Sequence, residues 1–301
     1  MREQRSFEGG GDNGALYIVP TPIGNLDDIT FRAIDTLKSA DLIAAEDTRR
    51  TLQLCRHFGI ETPVVSYHEH NKKSSGLKLL AAMQQGKAVA LVTDAGTPGI
   101  SDPGEDLVKA ATEHDIRVIP LPGANAALTA LVASGLSTEH FLFMGFLPRK
   151  QSDKQAALEA VKALPYTLIF YESPHRVIDT LASMETVLGD RRIALARELT
   201  KRFETFLRGT IGEIRAFLEG EDIKGECCIV VEGGTSEAED GGIKAAWWSE
   251  LGISEHVDYY VREQHLTTKE AIKRVAADRQ RPKRDIYNAY HGLSGGRDGG
   301  D

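Results

Sequence analysis

In the run Leu91-Val92-Thr93-Asp94-Ala95-Gly96-Thr97-Pro98-Gly99-Ile100-Ser101-Asp102-Pro103-Gly104, a short apolar strand over residues 89–92 empties into a loop with three glycines, two prolines and two aspartates. Strands that end this way belong to α/β sheets, which place their ligands at the carboxyl edge. Glycines let backbone N–H groups approach a ligand, and prolines hold the loop in one shape. The two carboxylates suit a ribose or a cation. The loop reads as a cradle for a small polar ligand, with Asp94 and Asp102 positioning that ligand or the loop itself.

Outward from this loop, short apolar runs alternate with helical segments. Strands are expected over residues 16–19, 42–45, 64–66 and 118–121. Helices are expected on the face Phe31, Ile34 and Leu37, and over 77–85, 106–114 and 124–134, the last stopped by Gly135. This alternation implies a largely parallel sheet covered on both faces. A second α/β unit begins near Glu139, with strands over 141–144, 167–171, 193–196 and 228–231 and a polar, basic loop over 148–154. Ser173 reads as the cap, and Pro174 as the first residue, of a helix that buries Val177, Leu181, Met184 and Leu188 and is ended by Gly189. Thr210 and Glu213 have capping-box spacing. Residues 247–291 are helical in pattern. Thr267-Thr268-Lys269-Glu270 opens a helix with Ala271, Ile272, Val275 and Ala276 on its apolar face, Arg281-Pro282 breaks it, and 283–291 form the next. The pair resembles a helix-turn-helix, with seven Lys/Arg against three Asp/Glu between Thr268 and His291. The expected domains are a flexible tail (1–14), an N-terminal α/β lobe (15–137), a C-terminal α/β lobe (138–235), a linker (236–244), a small helical domain (245–292) and a second flexible tail (293–301).

Composition bounds the function. The chain has 301 residues, enough for two or three domains, and 41% hydrophobic residues, enough for real cores. Its net charge of −8 argues against nucleic-acid binding over the whole surface, so any RNA contact must come from local patches. Cys227 and Cys228 are adjacent on a strand and point to opposite faces. With Cys55 they read as reduced core residues. His57, His68 and His70 lack matching ligand spacing, so no metal is expected. The first fifteen residues hold no apolar signal core, and no apolar run reaches membrane-span length, so a soluble cytoplasmic protein is expected. Phosphate-loop, dinucleotide and nucleophile-elbow motifs are missing.

Three further Gly/Pro-rich loops follow expected strands. They are Pro20-Thr21-Pro22-Ile23-Gly24-Asn25-Leu26, Leu121-Pro122-Gly123-Ala124-Asn125-Ala126 and Tyr171-Glu172-Ser173-Pro174-His175-Arg176. One such loop is ordinary turn chemistry; four point to a binding crevice between two α/β units. Together with Ala45-Glu46-Asp47-Thr48-Arg49, Ser66-Tyr67-His68-Glu69-His70-Asn71 and Ala196-Arg197-Glu198-Leu199-Thr200-Lys201, they make the chain resemble the tetrapyrrole-methylase-fold methyltransferases, which use S-adenosylmethionine. The resemblance covers nearly everything from Leu16 to His291. Within that family the chain is similar to the branch that methylates the ribose 2′-OH of a cytidine in the decoding region of 16S small-subunit ribosomal RNA. Tetrapyrrole-modifying members carry a Gly-Pro-Gly-Asp type loop after the first strand. Here Pro22-Ile23-Gly24-Asn25 stands in its place, which favours the RNA branch. The resemblance implies two α/β lobes with the cofactor cleft between them and a small C-terminal helical domain. It also implies S-adenosylmethionine as cofactor, 16S rRNA or the small ribosomal subunit as partner, and a homodimer.

The residues take roles within that expectation. Backbone around Asp94, Ala95, Gly96 and Ile100, and at Pro122, Gly123 and Ala124, would hold the methionine and ribose parts. Pro22, Gly24 and Tyr171 complete the expected cofactor set. A ribose hydroxyl is a poor nucleophile, so a group must take its proton; the candidates are Glu46, Glu172, Glu198 and Lys201. Arg49, His175, Arg176 and Arg197, with Lys273, Arg274, Lys283 and Arg284 of the basic segment, are expected to hold RNA phosphates. Plainer readings stand beside these. Glu46 and Arg49 suit a simple ion pair, and the basic segment suits a solvated surface. His175 and Arg176 fall in an expected first helical turn, where cations are disfavoured, which speaks for a functional role. The competing functions are a tetrapyrrole methylase, and a non-catalytic RNA-binding assembly factor that needs no cofactor crevice.

Overall fold

A computed structural model describes residues 3–6, 14–234, 248, 251–262, 264, 266–279 and 281–292. The chain divides into two compact units, Met1–Gly234 and Thr235–Asp301. The linker expected over 236–244 and the tail over 293–301 lie outside the described residues.

The first half of the larger unit is a parallel sheet. Strands β1 (Ala15–Ile18), β2 (Leu42–Ala45), β3 (Val64–Ser66), β4 (Ala88–Val92) and β5 (Arg117–Pro120) lie in the order β3-β2-β4-β1-β5. Both faces are buried, as a parallel sheet requires. Val89 and Leu91 pack into one core with Leu16, Leu79, Met83 and Leu107; Ala90 and Val92 pack into another with Leu37, Ile43 and Cys55. Helices α1 (Phe31–Ser39), α2 (Thr48–Phe58), α3 (Lys72–Gln84), α4 (Gly104–Glu113) and α5 (Ala126–Ser134) connect the strands. Phe31 does not join the buried face of α1; it is 89% exposed, and Ala33 and Leu37 carry the packing. Helix α2 is absent from the apolar pattern because only Thr51 and Cys55 are buried on it. Its signals are at its ends: Asp47 caps the Arg49 N–H, and Gly59 stops it in the left-handed region.

The second sheet is mixed. Strands β6 (Phe141–Phe146), β7 (Thr167–Glu172), β8 (Arg192–Arg197), β9 (Thr205–Thr210) and β10 (Cys227–Val231) run in the order β6-β7-β10-β8-β9. Only β6 and β7 pair in parallel; the other pairs are antiparallel. One face is covered by α6 (Gln151–Glu159), α7 (Val177–Leu188) and α8 (Ile211–Leu218). Against the other face packs α5, through Ala127, Ala130 and Leu131. Cys227 and Cys228 fall into these two opposite cores, as adjacent strand residues should. Of the basic loop expected over 148–154, residues 148–150 are a loop and 151–154 are already the first turn of α6. Its Lys154 is buried and donates to Asp179 Oδ2 of α7 at 2.5 Å. The helix expected from Ser173 begins three residues after Pro174, at Val177. Residues 174–176 form a turn closed by Arg176 N–H to Ser173 O, 3.1 Å. The buried face Val177, Leu181, Met184 and Leu188 and the stop at Gly189 are as expected. So is the capping box of Thr210 and Glu213.

The smaller unit packs three helices, α9 (Ile253–Arg262), α10 (Thr268–Asp278) and α11 (Lys283–Tyr290), around Val257, Ala271, Ile272, Val275 and Ile286. Thr267 and Glu270 form the second capping box. His256 is fully buried, stacks on Trp248 at 5.2 Å and accepts from Arg279 Nε at 3.2 Å. Burial, and then the Arg279 guanidinium, push its pKa below the ordinary value near 6.5. The unfolded chain therefore binds the proton first as pH falls, so this contribution to stability is intact above about 6.5 and is lost below it. Both tryptophans of the chain, Trp247 and Trp248, belong to this unit. The urea midpoint followed by tryptophan fluorescence is expected to be lower at pH 5.5 than at pH 7.5. Equal midpoints would refute this role for His256.

Candidate functional site

Strands β1 and β4 are neighbours, with Ile18 opposite Leu91, so the loops that follow them emerge side by side. Thr21 and Gly96 join these loops through two backbone hydrogen bonds of 2.9 and 3.0 Å. Gly96 and Gly99 hold φ of 85° and 87°, and Ser101 one of 65°, a conformation that strains any residue with a Cβ. Asp102 keeps the turn closed: its Oδ1 accepts from Gly99 N–H (2.8 Å) and Gly104 N–H (2.9 Å). Asp94 Oδ1 accepts from Asp47 N–H (3.0 Å), and its Oδ2 pairs with Arg50 Nη1 (3.3 Å). Both aspartates thus shape the loop.

Two connected hollows open at this sheet edge. The first spans about 720 Å³ counting the open solvent at its mouth. Loop residues Ala95, Gly96, Thr97 and Ile100 form one wall, and Tyr171, Cys227 and Cys228 of the second sheet, with Leu199 just after β8, form the other. Asn125 and Ala126, at the start of α5, close it. The second hollow is a wider trough along Pro22, Gly24, Glu46, Arg50, His57, Asp94 and Asp102. Ile23, Ala95, Ile100 and Tyr171 line both hollows, as do Phe146, Lys201 and Glu226.

The loop after β8 crosses between them. Glu198 and Thr200 sit at φ of 53° and 66°. Lys201 Nζ donates to Glu198 Oε1 at 2.8 Å, and Asn25 N–H donates to Thr200 Oγ1 at 3.0 Å. Tyr171 accepts at its hydroxyl from Ala127 N–H, 3.1 Å, and burial pushes its pKa up to about 12.

Of the expected cofactor residues, Pro22, Gly24, Asp94, Ala95, Gly96, Ile100 and Tyr171 line a hollow. Pro122, Gly123 and Ala124 do not. The Ala124 carbonyl accepts from Thr97 Oγ1 (3.0 Å), and Gly123 lies so close to Pro20 that a Cβ would stand 2.6 Å from its ring. That loop braces the wall that Asn125 and Ala126 form. Among the expected proton acceptors, Glu46, Glu198 and Lys201 line a hollow and keep reach into it. Glu46 Oε2 accepts from Thr93 Oγ1 at 2.9 Å, and the expected Glu46–Arg49 pair does not form. Arg49 instead chelates Asp47 (2.7 and 3.1 Å), and its side-chain hydrogen bond holds the Asp47 carboxyl down at about 2. Glu172 reaches the first hollow but is 1% exposed. Its oxygens accept from Ser173 N–H (2.8 Å) and Thr180 Oγ1 (2.8 Å) and face Arg176 at 3.5 Å.

The expected phosphate ligands separate in the same way. Arg176 turns inward, donating to Leu147 O (3.0 Å) and Pro148 O (3.3 Å), and is not free for a phosphate. His175 is exposed on the preceding turn, and Arg197 is half-buried, opposite Cys227 in the ladder. Lys273 and Arg274 on α10, and Lys283 and Arg284 on α11, are exposed. Arg50 and Glu226 were missed, Arg50 behind its neighbour in Thr48-Arg49-Arg50 and Glu226 because it stands apart from every glycine-proline loop. Among the described residues no His/Cys/Asp/Glu group could hold a metal, and no helix is long and apolar enough to cross a membrane.

The family described as Tetrapyrrole (Corrin/Porphyrin) Methylases matches residues 15–215. The chain belongs to the tetrapyrrole methylase family. Within it, the chain is 55% identical over 291 residues to Ribosomal RNA small subunit methyltransferase I of Bacillus subtilis (strain 168), covering 97% of this chain and 99% of the relative. The protein of the same name from Synechocystis sp. is 45% identical over 275 residues, 91% of this chain and 96% of the relative. Solved structures share the methylase fold. Diphthine synthase superposes with a TM-score of 0.59 at 14% identity, over 73% of this chain and 90% of that one. Uroporphyrin-III C-methyl transferase from Thermus thermophilus, solved with S-adenosyl homocysteine, superposes with a TM-score of 0.53 at 19% identity, over 72% and 97%.

Proposed function

We propose that this chain is an S-adenosylmethionine-dependent methyltransferase of small-subunit ribosomal RNA, acting as a homodimer, and that its acceptor is the 2′-OH of a cytidine in the 16S decoding region. The observation that carries this reading is that a small, walled hollow shares its lining with a longer trough, and we assign the cofactor to the first and a polymer strand to the second. Near full-length identity to small-subunit rRNA methyltransferases favours RNA over a porphyrin.

The first hollow suits S-adenosylmethionine. At Gly96 the backbone lies bare on the wall, and a Cβ there would press on Ile23 at 3.3 Å. Ile23, Ile100 and Leu199 offer apolar surface to an adenine, and Thr97 and Asn125 offer polar groups to the ribose and the amino acid end. When bound, the cofactor supplies an electrophilic methyl group on a sulfonium. The chain's own residues then have two tasks. They hold the acceptor oxygen in line, roughly 3–3.5 Å from that methyl, and they take the proton as the O–CH3 bond forms and the S–CH3 bond breaks. Lys201 lines both hollows and Glu198 holds it. We assign the proton to this pair. Arg50 and Lys201, which line the trough, are the cations we assign to the RNA strand beside the site.

Two measurements test the reading. Calorimetric titration should show S-adenosylmethionine binding; its absence would sink any methyltransferase function. Purified small subunits incubated with methyl-labelled cofactor should gain label on one ribose. Label on a base would overturn the ribose assignment.

A further inference from the structure

Six carboxylates line the hollow or the trough, and five are engaged by the protein. Glu46 is held by Thr93, Asp94 by Arg50, Asp102 by the Gly99 and Gly104 amides, Glu172 by Thr180 and Glu198 by Lys201. The sixth is Glu226, which lines both hollows. It is exposed, and among the described residues it has no hydrogen-bond or ion-pair partner.

Its surroundings are specific. Glu226 immediately precedes β10 and lines the first hollow together with Cys228 and Tyr171. Cys228 pairs with Tyr171, and Tyr171 pairs with Phe146, so three neighbouring strands set this row at the mouth of the hollow. Phe146 is 53% exposed, with its ring centroid 5.7 Å from that of Tyr171. A large exposed ring at a polar trough is a platform on which a flat base can stack. A carboxylate only accepts hydrogen bonds. Cytosine presents a 4-amino donor where uracil presents an acceptor oxygen, and an acidic side chain is the natural reader of that amino group.

We propose that Glu226 selects the acceptor nucleotide, its carboxylate accepting a hydrogen bond from the 4-amino group of a cytosine stacked on Phe146. This rests on the methyl-transfer reading above and extends it from the sugar to the base. It leaves Glu198 and Lys201 with the proton and gives Glu226 no part in the transfer itself.

The test uses the full chain and small subunits reconstituted from transcripts carrying either cytidine or uridine at the methylated position. The wild-type protein should favour cytidine in kcat/KM by roughly tenfold to a hundredfold. Glu226→Gln should bring the two within about threefold, because an amide can donate to uracil O4 as well as accept from cytosine N4. Its affinity for S-adenosylmethionine should stay within about twofold of wild type. Phe146→Ala should raise KM about tenfold for both nucleotides alike. An unchanged cytidine preference in Glu226→Gln, or a fall in cofactor affinity in step with the rate, would overturn the role of Glu226. An unchanged KM in Phe146→Ala would overturn the stacking. No transfer by the wild type to either subunit would refute the methyl-transfer reading itself, a result distinct from both.

Discussion

Glu172→Ala is expected to destabilise the larger unit by about 3 kcal/mol or more and to lower its melting midpoint by about 6–12 °C. The carboxylate is 1% exposed and serves three partners at once: the Ser173 amide, the Thr180 hydroxyl and, at 3.5 Å, the Arg176 guanidinium. Removing it leaves those donors inside the protein without an acceptor, and stranded donors cost more than the bonds themselves contribute. Arg176 is anchored to the Leu147 and Pro148 carbonyls, so it cannot follow solvent outward without releasing the chain between β6 and α6. Glu172→Gln keeps the acceptor for Ser173 and should cost only about 1–2 kcal/mol, with most of the methylation rate retained at 25 °C. A catalytic carboxylate would behave in the opposite way. Glu172→Gln would then leave the melting midpoint alone and slow transfer by about 10²–10⁴. Circular dichroism melts beside single-turnover methylation separate these outcomes.

Glu172 also shows where sequence alone stops. The loop Tyr171-Glu172-Ser173-Pro174-His175-Arg176 is legible as part of the crevice, because a strand followed by Ser-Pro must turn there. Which of its side chains face the ligand is not legible, because their partners are far away in the chain. Thr180 draws Glu172 inward, and Leu147 and Pro148 draw in Arg176. The same limit hid α6. Lys154 reads as a loop cation until Asp179, on another helix, provides for its burial. Features set by near neighbours were readable: the capping box at Thr210, the helix start at Thr267, the glycine stops at Gly135 and Gly189, and the two-sided burial of β4. The antiparallel part of the second sheet was not, since β9 is only half-buried and carries no apolar run to mark it. Arg50 and Glu226 entered the site because the folded chain brought them to it, not because a motif surrounds them.

Gly24→Ala should lower the methylation rate by about a hundredfold. A Cβ at this position would stand 2.6 Å from Lys201 Cγ, 2.8 Å from Thr200 Oγ1 and 2.9 Å from the Leu199 carbonyl. None of these is an allowed contact, and one is backbone, so the loop after β8 must retreat. That loop is already strained: Glu198 and Thr200 hold left-handed conformations that cost about 1–3 kcal/mol each unless their surroundings impose them. The Asn25 amide bond to Thr200 is one of the contacts that impose them, and the methyl group would break it. Once released, the loop relaxes, and Glu198 and Lys201 leave the junction of the two hollows. A displacement of about 1 Å at a reacting group is worth about 10²-fold in rate. Lys201→Ala supplies the comparison. Its side chain is 43% exposed, so the melting midpoint should hold while the rate falls as in Gly24→Ala. If Lys201→Ala methylates small subunits within about threefold of wild type, the assignment of the proton to the Glu198–Lys201 pair is wrong. If Lys201→Ala is slow and Gly24→Ala is not, the loop tolerates the methyl group, and its strained conformation is not what places the pair.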